Sequence, residues 1–173
     1  MNKSSKYVIR IPKLLQSLLA LVTFRLGTHL REQTDLLRLK VRRQSRWCLY
    51  QIRVYGDEQM QSELVNVEYG RVISISFSTS GGFGEEQDLQ IRYGLHDISR
   101  FLSELHEGRQ DWQPSFQPLP LLARVSLEQI EEEGAIEEIE AQMNNNGYGS
   151  NIKYWAKDAK SETLNRFIHR GRT

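Results

Sequence analysis

Arg38, Lys40, Arg42, Arg43 and Arg46 fall within nine residues, and Trp47 follows at once. A guanidinium offers paired N–H donors that fit phosphate oxygens, and an indole ring stacks on an unpaired base. Together these residue types describe an electrostatic grip on a polyanion with an aromatic platform beside it. Arg53 and Tyr55 extend the set, because on a strand they share the parity of Trp47. These eight residues form the candidate nucleic-acid-binding set, for single-stranded or structured nucleic acid. The same cations would also dock on an acidic protein surface. This chain carries one of its own, with Glu131, Glu132, Glu133, Glu137 and Glu138 crowded into a short stretch. So many carboxylates on one helix cannot all be desolvated, which suits a docking face better than acid–base catalysis.

The charges are sorted along the chain. Residues 1–56 hold 12 Lys/Arg against 2 Asp/Glu, residues 57–154 hold 6 against 18, and residues 155–173 hold 5 against 2. A formal net charge of +1 thus hides a basic end and an acidic body. Asymmetry of this kind points to a polyanion, an acidic protein partner or self-neutralisation on folding.

Other chemistry is hard to assemble. His96 and His106 lie ten residues apart, not at the three- or four-residue spacing that a helical metal site needs. Cys48 is the lone cysteine, which leaves no internal disulfide and no multi-cysteine zinc site. Its strand register points inward, and a buried thiol is a poor nucleophile. The glycine-rich run Ser80 to Gly84 is followed by Glu85 and Glu86, not by the lysine of a phosphate-binding loop. The expectation is a non-enzymatic protein with no catalytic residues, cofactor or metal.

The elements that must position these residues follow from periodicity. Leu14, Leu15, Leu18, Leu19, Val22 and Leu26 recur at helical spacing over residues 13–26, and a second helix is expected over about 30–41. The apolar run Leu14 to Phe24 is 11 residues long, short of the ~20 a membrane span requires. No small-x-small cleavage site follows it, so the expected location is cytoplasmic. From Arg46 the period changes to two. Cys48, Tyr50, Ile52 and Val54, then Val65, Val67 and Tyr69, then Ile73, Ile75 and Phe77, then Leu89, Ile91 and Tyr93 each read as one face of a strand. Gly56-Asp57, Gly70-Arg71 and residues 81–84 supply the turns of an antiparallel meander. A covering helix capped by Asp97 follows, with Ile98, Phe101, Leu102 and Leu105 on one stripe and Gly108 as its left-handed stop.

Three prolines in residues 109–125 suggest a linker. Ser126 and Gln129 form a capping box for an acidic helix over about 127–143, and a short terminal helix is expected over about 161–169. The predicted fold class is therefore α+β. A basic helical arm (1–45) precedes a four-stranded antiparallel sheet with its helix (46–108), a linker (109–125) and a C-terminal helical region (126–173). The order of strands and helix from Cys48 to Gly108 resembles the strand-rich unit of Whirly-type single-strand binders. The Leu-rich helix ahead of a meander is similar to the opening of bacterial secretion chaperones. No motif carries either likeness, so no family follows. The functional expectation is a nucleic-acid-binding or nucleoprotein-complex subunit, associated with other protein subunits. The alternative is a protein-interaction adaptor or chaperone-like subunit.

Overall fold

Among the described residues the expected sheet is absent. In the computed structural model, which describes residues 11, 13–24, 32–78, 85–110, 114–145 and 151–168, the chain is all-α. Eight helices are described: α1 (Leu14–Val22), α2 (Glu32–Tyr55), α3 (Glu58–Asn66), α4 (Tyr69–Ser78), α5 (Glu85–Glu107), α6 (Pro120–Glu132), α7 (Ala135–Gln142) and α8 (Ile152–Ile168). The one β feature among the described residues is an isolated antiparallel bridge between Arg109 and Phe116. The α+β assignment is overturned, and the two topological likenesses lose their strands.

Three of the four expected strands are stretches of helix, and the other, Val65, Val67 and Tyr69, spans the end of α3, a turn at 67–68 and the start of α4. On α2 the buried positions are Arg38, Ser45, Leu49 and Arg53, so three of the four inward side chains are polar. That polarity hid the helical period, and the alternation of Cys48, Tyr50, Ile52 and Val54 took its place. Cys48 is exposed rather than inward, while Tyr50, Ile52 and Val54 are half-buried. On α4, Tyr69 and Ile73 form one buried row and Gly70 and Ser74 the next. Ser74 is buried beside Ile73, not opposite it, and its hydroxyl donates to the Gly70 carbonyl at 2.9 Å. Ile75 is half-buried, and the side chain of Phe77 lies outside those described, as does the expected loop at 81–84. On α5, Leu89 and Tyr93 are exposed while Ile91 is buried.

The stripe expected for the covering helix is real but belongs to a longer element. Ile91, Leu95, Ile98, Leu102 and Leu105 run down α5 at alternating spacings of four and three, with Phe101 beside them. Ile98, Phe101, Leu102 and Leu105 are each 0% exposed, and burial of such side chains stabilises by roughly 1.5–3 kcal/mol apiece. Asp97 is not an N-cap; it sits in the middle of α5. Gly108 takes a left-handed φ of 78° after the helix, as its position implies. The fully buried Ala156 and Ala159 lie on α8, the helix with the most extensive packing against α5.

The remaining boundaries shift for local reasons. Asp57 does punctuate the chain, as the N-cap of α3, accepting from the Met60 amide at 3.2 Å. A Cβ at Gly56 would stand 2.5 Å from the Met60 side chain and 2.6 Å from the Ile52 carbonyl, so glycine is required there. Gly70 and Arg71 lie inside α4, not in a turn. Pro120 occupies the first turn of α6, so the helix begins there, and Ser126 and Gln129 are buried inside it instead of forming its cap. The expected acidic helix is two helices, parted at Gly134 with φ 68°. The terminal helix starts at Ile152, earlier than expected.

Candidate nucleic-acid interface

The single long helix α2 carries all eight predicted binding residues, and its faces sort them. Arg38 is buried, 3.3 Å from Asp35. Lys40 is exposed. Arg42 is half-buried and donates to the Phe24 carbonyl at 3.3 Å. Arg43, Arg46 and Trp47 reach the rim of a cavity of about 590 Å³. Tyr55 is exposed at the far end of the helix. Arg53 is 1% exposed and is taken up inside the protein.

The cavity lies between α2, α4, α5 and α8, with Val22 of α1 at one side. Arg43, Trp47 and Tyr50 share one face of α2 because they follow at spacings of four and three. Trp47, 58% exposed, stacks on Tyr50 with ring centroids 5.4 Å apart and planes at 18°. Across the cavity α5 presents Gln90, Arg92, Tyr93, Gly94 and His96. The Arg92 guanidinium lies 4.9 Å from the Tyr93 ring centroid. Trp155 of α8 closes one wall, meeting the His96 ring edge-on at 4.5 Å. Arg46 donates to the Gln90 side-chain carbonyl at 2.6 Å and so ties α2 to α5 across the opening. That bond uses one of the five guanidinium donors.

The electrostatics of the rim are unusual. Burial, and then repulsion from Arg43 and Arg42, lowers the Arg46 pKa to about 10. Three guanidiniums crowd where desolvation already disfavours charge, and an anion placed there would offset both terms. Burial also lowers the His96 pKa, with Arg53 and Arg100 acting the same way against the pull of Asp97 and Asp158. The imidazole is therefore neutral near pH 7 and can donate from one nitrogen and accept at the other.

Tyr69 and Asp97 line the cavity and belong to an ionic network that continues into the interior. Arg53 donates to Asp97 at 2.8 Å and to Glu104 at 3.0 Å, and Tyr69 donates its hydroxyl to the other Asp97 oxygen at 2.5 Å. Burial lowers the Arg53 pKa, but attraction to Asp97 and Glu104 outweighs it and leaves the guanidinium permanently charged. Burial, then the Asp97 carboxylate, raises the Tyr69 pKa well above 10, so the phenol stays protonated. Arg109 adds a second cation, 3.2 Å from Glu104, and donates to the carbonyls of Val54 at 2.9 Å and of Gly56. These carbonyls end α2 and lack helical partners, so Arg109 serves as a C-cap. Gln61 donates to the Arg53 carbonyl at 2.9 Å and completes the cap.

The acidic residues lie elsewhere. Glu132 and Glu133 approach Arg71 of α4 at 2.6 and 3.1 Å. Glu138 accepts from Gln142 at 2.8 Å, and Glu131 and Glu137 are exposed. The cavity residues that the sequence did not mark are Tyr50, Gln90, Tyr93, His96 and Trp155. Tyr50 and Tyr93 were assigned to the inward face of strands. Read at helical spacing, Arg43–Trp47–Tyr50 and Tyr93–His96 would have marked two facing rows. Trp155 carries no local signal of its partners in the sequence. Comparison with protein-family models, with curated proteins and with solved structures finds no match for this chain.

Proposed function

We propose that this chain binds single-stranded nucleic acid without catalysing a reaction, as a nucleic-acid-binding protein or a subunit of a nucleoprotein complex. The observation that carries the reading is the shared face of α2. There the guanidiniums of Arg43 and Arg46 flank the exposed Trp47, stacked on the half-buried Tyr50, at a cavity rim. Phosphates meet Lys40, Arg42, Arg43 and Arg46, and an unpaired base stacks on Trp47. Arg38 and Arg53 take no part, because their charges are already committed inside the fold.

The four cations proposed to meet phosphates set the size of the electrostatic term. Titration of a fluorescent single strand at several salt concentrations should give a log–log slope of about −3. Exchanging Lys40 and Arg42 for alanine should flatten it by about 1.4, for every sequence alike. Trp47→Ala should weaken single strands more than duplexes, because duplex bases are not open to stacking. No binding at low salt would end this reading and leave docking on an acidic protein as the use of the basic face.

A further inference from the structure

Gly94 stands in the middle of α5, where a glycine weakens a helix relative to alanine. It lines the cavity. At about 590 Å³ the space lies well within the range that holds small organic ligands. Its walls are flat rings, its rim is cationic, and Gln90 and neutral His96 supply polar groups between the two. Flat walls favour a planar aromatic group, and crowded guanidiniums favour a phosphate on that same group.

We propose that the cavity receives one complete nucleotide unit, its base between Trp47, Tyr93 and Trp155 and its phosphate at Arg43 and Arg46. The inference rests on the proposed nucleic-acid reading but goes further, since a strand lying along α2 would need no cavity. The unit has two possible sources, an unstacked nucleotide of a bound strand or a free nucleoside monophosphate. An anion at the rim also explains how Arg46 would be relieved of the repulsion from Arg42 and Arg43.

The test is calorimetric titration of the full chain with adenosine 5′-monophosphate, adenosine and inorganic phosphate, beside a single strand and the same strand with one abasic site. The monophosphate should bind at micromolar to millimolar concentration, with adenosine and phosphate each at least tenfold weaker. Gly94→Leu fills the space while raising helix propensity, and should abolish monophosphate binding. Tyr93→Ala alters an exposed rim residue that folding does not depend on, and should weaken the monophosphate about tenfold. Should the Gly94 variant misfold, the Tyr93 variant decides alone.

If the monophosphate does not bind, or binds Gly94→Leu and Tyr93→Ala as well as wild type, the cavity inference is overturned. Strand binding that survives with its salt slope would then leave the functional reading intact. Monophosphate binding that Gly94→Leu removes sustains the cavity inference. Weaker binding of the abasic strand then assigns the source to a strand, and absence of any strand binding assigns it to free nucleotide while ending the strand reading.

Discussion

Arg53 is the residue on which most of the interior polarity turns. Its guanidinium holds Asp97 and Glu104, and through Asp97 it sets the position of Tyr69. Removing one partner of a buried pair leaves an uncompensated charge, which costs more than the pair contributes. Arg53→Ala should therefore lose about 3–5 kcal/mol in urea unfolding. A loss under about 1 kcal/mol would mean that water reaches the two carboxylates. His96 sets a pH dependence of a definite sign. Its folded pKa is depressed below the ordinary 6.5, so the unfolded chain takes up the proton first as pH falls. Its contribution to stability is complete above pH 6.5 and declines as pH drops through the folded value. His96→Gln should flatten that acid limb of the unfolding free energy, and an unchanged limb would assign it to other groups.

At the scale of elements, α5 and α4 explain how much was legible. The row Ile98, Phe101, Leu102 and Leu105 is apolar throughout, and it was read correctly as a buried helical stripe ending at Gly108. Leu15, Leu19 and Val22 of α1 were equally plain. The failures cluster where the inward face is polar. Arg38, Ser45 and Arg53 on α2, and Ser74 on α4, interrupt the apolar stripe, and β-branched residues on either side then imitate strand alternation. Tertiary partners, not hydrophobicity, put those polar groups inside, and no local pattern announces an ion pair 44 residues away. The candidate site was legible in the same measure: the basic run and Trp47 were visible, while the opposite wall depended on how α5 and α8 fold back. One substitution pair separates the two folds. On a strand Ile73 and Ile75 would be equivalent; on α4 Ile73 is buried and Ile75 is partly open. Ile73→Ala should cost about 2–5 kcal/mol and Ile75→Ala clearly less, by chemical denaturation. Equal losses would favour the strand.

For the whole molecule, the sorted charges meet in part through Arg53 of the N-terminal basic segment, which pairs with Asp97 and Glu104 of the acidic body. Arg71, Arg124 and Lys160 engage Glu132, Glu128 and Glu140, all of them outside the N-terminal basic segment. Among the described residues no helix is long and apolar enough to cross a membrane. The basic face of α2 and the acidic helices α6 and α7 therefore give the molecule two surfaces of opposite sign. A field so arranged would attract a polyanion to the basic surface and repel it from the acidic one.

The capping of α2 has a mechanical meaning. The helix has 24 residues and is about 36 Å long. At its last turn it is clamped by Arg53 below and by Arg109 and Gln61 on its terminal carbonyls, whereas Leu36, Leu37, Lys40 and Val41 near its start are exposed. Its last turn is the firmly held end of a beam along which α1 also packs. Amide exchange should accordingly be slowest around Leu49 to Arg53 and quicken towards Glu32, with Arg109→Ala erasing the gradient from its fixed end. Load applied at Lys40 or Arg42 by a bound strand would turn the beam about that clamp. The tilt would then reach Tyr50 and Arg46 and alter the gap between α2 and α5.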